Sequence, residues 1–516
     1  MRVAQGARAN VASLPAPVGG WNARDSLANM EPTDAVVLDN MFPTASSCVL
    51  RGGYTKYATV TGKVRTLMAF SGGTVNKLFA ITTSGIYRVD AGGAGVSQTL
   101  PSALTNSWCE YTNITTLGGS YMMVVNGTDT PLLYDGTTWT NPSITFPAIP
   151  AGMATTKFSN ITLFKNRLWF IEKDTLRAWY LPTLSIGGAA DYIDLSAVAK
   201  YGGHLVDLDT WTIDAGYGVD DNLAFMTSNG EVIIFRGTDP ASAATWSLTG
   251  VWKLGSPIGT RAMLKFAGDL LILTYDGLMP MAQSLQSSRL DPRVALSNKI
   301  QGAIAKATTE YGSHTATGWQ IVYSAKNNAV WINVPVQDDL QEQFVMNTIT
   351  TSWCRFTGWG AYCWEIYNDE PYFGGNGFVA LAWDDTYQDD TLNIVSTAAQ
   401  AYNYFDSRGV KKYFTRARPT IMTDGFPSIG LGMNVDFDMN ADAAAVGTGA
   451  LPGYALWDSG KWDTGIWGGG MEVYNNWQGI TGIGYCGSLM MKTSSAGIKI
   501  EWPSTDVVFQ TGWAGI

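Results

Sequence analysis

The sequence predicts an all-β fold whose largest part is a β-propeller of six or seven blades. Two observations support this prediction: short apolar or aromatic runs are joined in pairs through Gly, Asn or Asp, and the pairs recur at a regular spacing. Such runs connected by Asn-Gly or Asp-Gly are the strongest short-range signal of a β-hairpin, because these residues adopt positive φ at a tight turn without strain. Seven such hairpins follow one another between residues 51 and 385.

The spacing of the hairpins indicates a repeating unit. Their first strands begin at residues 78, 121, 168, 223, 270, 330 and 372, so that one unit takes about 49 residues. A period of roughly 40 to 50 residues is typical of four-stranded propeller blades, which bury their faces by stacking around a ring. A string of β-sandwiches is the alternative, but it would show shorter strand spacing and no unit period. We therefore expect the propeller to occupy residues 51–400.

One segment of the propeller region departs from the β pattern. Apolar residues recur there at a spacing of three to four, which predicts a short helix in an insertion over residues 290–312. The residues of this apolar stripe are Val294, Leu296, Ile300, Ala303, Ile304 and Ala307. Such an insertion either contacts a neighbouring protein or covers the edge of a blade, and the sequence favours neither.

Residues 401–516 are predicted to form a separate β-sandwich-like module, because strand alternation and closely spaced turns replace the hairpin period. A tract rich in Gly and Trp places Trp457, Trp462 and Trp467 five residues apart. This spacing fits neither a helical stripe nor one face of a strand. We interpret the three indoles as structural groups that pin a coiled loop, with sugar binding as the alternative.

The composition excludes several classes of protein. Of the 516 residues, 46% are hydrophobic and 15% are charged, and the net charge is −10. The chain is too apolar for disorder, yet no window approaches the roughly 18 apolar residues of a membrane span. An acidic surface repels phosphates, so tight non-specific binding of nucleic acid is not expected. The five cysteines lack a Cys-x-x-Cys pair and suit a reducing cytoplasm, and no secretion signal is evident.

We find no motif for catalysis, cofactor binding or metal binding, and we expect no enzymatic activity. The histidines, His204 and His314, have no Cys, Asp or Glu at ligand spacing. Neighbouring carboxylates point to opposite faces of an extended strand, unlike the facing pair of a glycosidase. The adjacent pairs are Asp220-Asp221, Asp338-Asp339, Asp384-Asp385 and Asp389-Asp390. The run at residues 135–139 lacks the upstream Ser/Thr and the spacing of a sialidase Asp box.

The N-terminal stretch is the most distinctive part of the chain. It reads Gly-Gly-Trp-Asn-Ala-Arg-Asp-Ser-Leu at 19–27, Asp-Ala-Val-Val-Leu-Asp-Asn-Met-Phe-Pro at 34–43 and Val-Leu-Arg-Gly-Gly-Tyr at 49–54. Its residues predict an extended arm over 1–50, with a single helical turn opened by Pro32 and a stop before Pro43. Together these motifs resemble the opening of tail nozzle proteins (packaged-DNA stabilisation proteins) of short-tailed bacteriophages. The resemblance extends more loosely to residues 295–301 and 412–419.

The resemblance implies a structural protein of the virion tail that is synthesised in the host cytoplasm. Such proteins form a ring, usually a homohexamer, below the head-to-tail adaptor, where they continue the DNA channel and help to retain the packaged genome until ejection. The implied partners are further copies, the adaptor ring, tail fibre or tail-tip proteins, and double-stranded DNA that passes without sequence-specific binding. The motif positions also suggest an assembly interface. Its candidate residues are Trp21, Arg24, Asp25, Asp34, Asp39, Phe42 and Arg51.

The physical properties of the chain fit this role, but they leave other functions open. An acidic lumen lets a duplex slide, because each neutralised phosphate would add affinity and friction. A glycan-binding or glycan-cleaving tail propeller for host attachment is the alternative, motivated by 20 tryptophans and by the acidic pairs. A host-encoded adhesive or scaffold propeller is disfavoured by the missing export signal.

Overall fold

The chain folds into a seven-bladed β-propeller joined to a β-sandwich. The computed structural model describes residues 9–73, 75–147, 152–212, 221–284, 292–313, 315–441, 443, 447, 449–450 and 470–512. The predicted all-β class and the propeller are confirmed, and the blade number is seven. Each predicted hairpin supplies the second and third strands of one blade, and its apolar runs are buried between neighbouring blades.

The blades are antiparallel sheets that follow one another along the chain, and their strands have the following bounds from the channel outwards. Blade 1 comprises Gly53–Ser71, Asn76–Thr82, Gly85–Arg88 and Val96–Ser97. Blade 2 comprises Glu110–Thr116, Gly119–Val125, Leu132–Tyr134 and Trp139–Thr140. Blade 3 comprises Phe158–Phe164, Arg167–Glu172, Arg177–Tyr180 and Asp191–Asp194. Blade 4 comprises Leu205–Thr212, Asp221–Thr227, Glu231–Gly237 and Trp246–Lys253. Blade 5 comprises Met263–Phe266, Asp269–Thr274 and Gly277–Pro280. Blade 6 comprises Gln320–Ser324, Ala329–Gln337, Leu340–Asn347 and Trp353–Phe356. Blade 7 comprises Cys363–Tyr367, Glu370–Gly374 and Asn376–Asp384.

A single long strand, Gly53–Ser71, closes the ring. Its second half pairs with Asn76–Thr82 of blade 1, whereas its first half pairs with Asn376–Asp384 and completes blade 7. Gly62, at φ +89, lies between the two halves, in a conformation that L residues rarely adopt. The first strand of every blade contacts the first strand of the next, and the series returns to Gly53–Ser71. The propeller is therefore held shut by pairing between residues about 320 positions apart.

Apolar clusters lie between adjacent blades and form a core that runs around the ring. Between blades 3 and 4, for example, the rings of Trp169 and Trp246 stack at 5.4 Å with an angle of 13°. The predicted helix is confirmed, but it spans only Gln301–Tyr311 and follows two 3-10 turns, Pro292–Val294 and Asn298–Ile300. Its buried Ile304 packs between blades 5 and 6, so that the helix covers a blade edge.

The β-sandwich consists of two sheets, and strands from both ends of the chain contribute to it. One sheet contains Asp34–Asp39, Leu392–Gln400, Gly487–Ala496 and Ser428–Val435. The other contains Met41–Pro43, Cys48–Leu50, Ile500–Thr511, Ala9–Pro15, Lys412–Thr423, Glu472–Tyr474 and Gln478–Gly484. The apolar core between them continues into blades 6 and 7. Remaining short elements are Gly20–Trp21, Gly93–Ala94, Ile144–Thr145, Gly188–Ala189, Gln388–Asp389, Gly449–Ala450, Met281–Ser284, Thr155–Lys157 and Leu195–Ala197.

The N-terminal residues differ from their predicted form. Where the structure describes the expected arm, it runs through strands of the sandwich, and the helical turn predicted after Pro32 is wrong. Asp34–Asp39 is instead a strand that pairs with Leu392–Gln400 and meets blade 6 at Arg355. Tertiary pairing of this β-branched run outweighs the local helix-start signal of the proline. Leu392–Gln400, which lies before the predicted boundary at residue 400, belongs to the sandwich.

No helix in the described part of the chain is long and apolar enough to cross a membrane.

Candidate functional site

The side chain of Arg51 is buried where the sandwich meets blades 6 and 7. Its two terminal nitrogens donate hydrogen bonds to the two carboxylate oxygens of Asp389, at 2.8 and 2.6 Å. The Nε atom donates to Asn40 at 2.9 Å, and the remaining N–H groups reach backbone carbonyl oxygens. The guanidinium carbon also lies 4.7 Å from the ring centroid of Trp359. All five donors are thus satisfied, in the planar two-pronged geometry that distinguishes arginine from lysine.

Asp34 connects the N-terminal segment to the helical insertion. Its buried carboxylate accepts hydrogen bonds from Asn22 at 2.7 Å and from the Lys299 ammonium at 2.5 Å. Lys299 also donates to the carbonyl oxygen of Gly19, and its own carbonyl accepts the Ala23 N–H. Two separate stretches of the phage resemblance, residues 19–54 and 295–301, therefore meet in space.

A third ion pair and three ring–ring contacts connect further residues of the N-terminal segment to blades 6 and 7. Arg355 donates two hydrogen bonds of 2.8 Å to Asp39, and its guanidinium carbon lies 5.8 Å from the ring centroid of Trp21. Trp21 packs edge-on against Phe344 of blade 6. Phe42 packs in the same way against Trp383 and tilts towards Phe356.

Arg24 and Asp25 differ from the other candidate assembly residues because they reach the surface. Their side chains are 43% and 33% exposed, and they form a two-point ion pair. The Arg24 guanidinium and the Asn22 amide lower the pKa of Asp25 to about 2. The structure therefore brings five of the seven predicted residues into contacts between the N-terminal segment and the rest of the chain, whereas Arg24 and Asp25 bond only to each other and to Asn22. We call this set of contacts the junction.

The propeller channel is narrow, and charged side chains cross it. A cavity of about 320 Å³ lies among the first strands of the blades. Arg261 precedes blade 5, yet its Nε atom donates to Glu110 of blade 2 at 2.8 Å, and a terminal nitrogen donates to the Cys109 carbonyl. Blades 2 and 5 lie on opposite sides of the ring, so this ion pair spans the channel.

Asp207 binds three blades together in the channel wall. One carboxylate oxygen accepts from the Asn160 amide of blade 3, and the other accepts the backbone N–H groups of Ala262 and Met263. Next to it, the Lys265 ammonium lies 2.9 Å from Asp209. These carboxylates have donor partners that orient them for structural bonding.

The carboxyl group of Glu365 also lines this cavity and can exchange a proton near neutral pH. Burial raises its pKa to about 7, and Glu110 adds to this effect, whereas a hydrogen bond from Tyr111 and the charge of Arg261 oppose it. Asp209 and Lys265 also line the same cavity. The arrangement can take up or release a proton, which affects stability through linkage.

The remaining candidate residues are dispersed. His204 lies in a cleft at one mouth of the channel beside Trp108 and Lys173, whereas His314, Trp457, Trp462 and Trp467 fall outside the described residues. Within the described ranges, no group of three His, Cys, Asp or Glu side chains is arranged to hold a metal ion. Two acidic pairs form ion pairs: Asp338 and Asp339 with Lys63, and Asp389 and Asp390 with Arg51 and Lys56.

Comparison with known proteins gives similarity only to solved structures. No protein-family model and no curated protein matches the chain. The extracellular domain of the putative hybrid two-component system BT3049 from B. thetaiotaomicron is 13% identical, with a TM-score of 0.41 over 63% of this chain and 41% of that one. BBS1N in complex with ARL6DN is 11% identical, with a TM-score of 0.39 over 65% and 98% of the two chains. YCF48 bound to D1 peptide is 11% identical, with a TM-score of 0.33 over 66% and 96%.

The chain thus spans less than half of the BT3049 domain and nearly all of the other two. At these identities and TM-scores, we take nothing about activity, substrates or partners from the neighbours.

Proposed function

We propose that this chain is a non-enzymatic structural subunit of a phage tail nozzle. In this role it forms a ring below the head-to-tail adaptor, continues the DNA channel and helps to retain the packaged genome. The observation that supports the proposal is the junction. The motif residues that resemble nozzle proteins join the propeller, the helical insertion and the sandwich through one buried ion pair, Arg51–Asp389, and two partly buried ones, Lys299–Asp34 and Arg355–Asp39. A part exposed to the pressure of packaged DNA requires such a connection between its modules.

Ring formation requires two different surfaces on each subunit, because a rotationally closed ring uses head-to-tail contacts. The second sheet of the sandwich offers two such surfaces at its opposite edges, the strands Ala9–Pro15 and Gln478–Gly484. Neither strand contains a charged residue, and Val11 and Ile483 are 64% and 51% exposed. Edge strands usually carry charges that prevent pairing with other chains. We propose that these two edges form the subunit contact.

The charge of the chain also supports the proposal. A net charge of −10 favours passage of a duplex without retention, because binding of phosphates requires Lys and Arg contacts. The long-range repulsion weakens as salt screens it. Within this role, we expect DNA to pass through the lumen of the assembled ring of subunits. It would not pass through the propeller channel of one subunit, because the Arg261–Glu110 ion pair crosses that narrow channel.

The experiment combines assembly with imaging. Full-length protein is mixed with a purified portal and adaptor complex from a short-tailed phage that encodes it, and the mass of the assembly is measured. We expect a ring of six copies on the adaptor, and cryo-electron microscopy of virions to place the chain in the tail. A monomer without affinity for the complex, and absent from tails, would overturn the proposal.

An edge variant tests the subunit contact separately. We expect Ile483→Lys to prevent ring formation, because it places a charge at the proposed contact. Leu117→Lys is the matched control, since Leu117 is fully exposed at the tip of a blade 2 hairpin, far from either edge along the chain. If both variants assemble equally well, the edges are not the contact, although the nozzle role would stand on the imaging result.

A further inference from the structure

A cleft of about 430 Å³ lies between blades 6 and 7, outside the propeller channel. Four aromatic residues, Tyr54, Trp359, Tyr362 and Phe378, line the cleft, and the exposed Leu340 lines it as well. Tyr54 and Phe378 lie nearly parallel, with ring centroids 6.3 Å apart. The volume falls within the roughly 300–1,000 Å³ of small-ligand sites, which are typically lined by aromatic groups with a few polar atoms.

The cleft contains a buried hydrogen-bond acceptor without a partner. Gln341 is only 2% exposed, and its amide nitrogen donates weakly to the carbonyl oxygens of Gln337 and Asp338. Its Oε1 atom has no donor among the described residues. This atom lies 3.9 Å from the position that a Cβ atom on Gly360 would occupy, and Gly360 also lines the cleft. A ligand hydroxyl in the cleft would satisfy this acceptor, which otherwise stays desolvated.

Charges around the cleft favour a neutral ligand. The Asp339 carboxylate already accepts a hydrogen bond from the Tyr362 hydroxyl and pairs with the Lys63 ammonium at 3.0 Å. Asp338 is paired with Lys63 and with Arg65. A cationic ligand would have to compete with these ammonium and guanidinium groups, and an anionic ligand would meet the carboxylates.

We infer that this cleft binds a neutral sugar residue of a glycan. The apolar face of a pyranose ring packs on the aromatic wall formed by Tyr54 and Phe378, and a hydroxyl group donates to Gln341 Oε1. This combination of aromatic walls and a few placed polar groups provides both contact area and orientation. The inference goes beyond the nozzle role, because a tail ring can assemble whether or not its outer face holds a sugar.

Ligand-observed NMR with full-length protein tests the inference. The probes are neutral mono- to trisaccharides of glucose, galactose, mannose and N-acetylglucosamine, together with sialic acid and a Lys/Arg-rich peptide as charged comparators. We expect at least one neutral saccharide to bind. If no neutral saccharide binds, or if only the charged comparators or a protein partner bind, the inference is overturned.

Two variants locate the binding site. Gln341→Met removes the acceptor with little change in volume, and Gly360→Ala places a methyl group near it at ordinary contact distance. We expect each to weaken saccharide binding by about tenfold or more. Gly409→Ala is the matched control, because an added Cβ there contacts nothing within 4 Å. If both cleft variants keep their affinity for the saccharide and unfold at the same temperature as the control, the assignment of the sugar site to this cleft is overturned. Assembly on the adaptor is measured in parallel, so that loss of the nozzle role is distinguishable from loss of sugar binding.

Discussion

Removing the Arg51 side chain should destabilise the chain more than the loss of any other ion pair at the junction. Arg51→Ala leaves the Asp389 carboxylate, which is 7% exposed, without its cation and without two charge-assisted hydrogen bonds. Removal of one partner from a buried ion pair costs about 3–5 kcal/mol. The Arg51 side chain itself is fully buried, so solvent screening does not reduce this cost. We therefore expect the free energy of unfolding to fall by about 3–5 kcal/mol.

Two further variants separate the charge effect from simple loss of contacts. Arg355→Ala breaks the Asp39 pair, whose side chains are 31% and 19% exposed, and we expect a loss of only about 1 kcal/mol. The double variant Arg51→Met with Asp389→Leu replaces the buried pair by apolar groups of similar size. It should be clearly more stable than Arg51→Ala, because no unpaired charge remains.

The assay is denaturant unfolding of the full chain, followed by tryptophan fluorescence and by far-UV circular dichroism. Trp359, one of the 20 tryptophans, lies against the Arg51 guanidinium, so the fluorescence includes a signal from this region. Coincidence of the two probes is required before free energies are compared, because a propeller and a sandwich need not unfold together. A loss below about 1 kcal/mol for Arg51→Ala, or a loss equal to that of Arg355→Ala, would refute the reasoning.

Two other predictions concern groups outside the junction. The pKa of Glu365, about 7 in the folded chain against an ordinary 4.5, means that the folded state binds more protons in this interval. The contribution of Glu365 to stability should therefore fall as pH rises from about 4.5 to 7, by up to about 3 kcal/mol. Burial also raises the pKa values of Glu110 and Asp207, so Glu365→Gln should reduce the slope measured in denaturant titrations at several pH values and leave the part due to these two groups. All five cysteines are buried free thiols, and burial raises the pKa of Cys363 to about 12. We expect a thiol reagent to modify fewer than one cysteine per native chain but all five in denaturant; rapid labelling of native protein would contradict this.

The repeat and its hairpins could be predicted because their signals are local. A tight turn between two apolar runs identifies both strands of a hairpin, and each of the seven predicted hairpins lies in its own blade. The sequence predicts six or seven blades without deciding between them, because ring closure depends on Gly53–Ser71, whose two halves pair in different blades. Nothing in its sequence distinguishes a strand shared between two blades from two strands in succession.

The polar contacts could not be predicted because their partners are distant in sequence. Arg51 and Asp389 are 338 positions apart, and Arg261 lies 151 positions from Glu110. Asp389 and Asp390 are adjacent carboxylates in the sequence, but only the fold shows that Asp389 faces Arg51 and Asp390 faces Lys56. Prediction from local signals also failed at Pro32, where pairing of Asp34–Asp39 with a strand from residues 392–400 determines the conformation.

The junction explains why the N-terminal motif combines its particular residue types. Position 51 requires a planar two-pronged cation to bind both oxygens of Asp389. The carboxylate at position 34 must accept hydrogen bonds from both Asn22 and Lys299, and Trp21 fills space beside Phe344. These requirements come from joining a propeller to a sandwich, and they engage the buried side chains within one chain. We therefore expect a surface that contacts the adaptor or another copy to use exposed residues. The uncharged edges of the sandwich, with Val11 and Ile483 exposed, are available for such contacts, and the cleft at Gln341 is separate from both. Substitution at the junction should accordingly reduce stability and assembly together, whereas Ile483→Lys should reduce assembly alone.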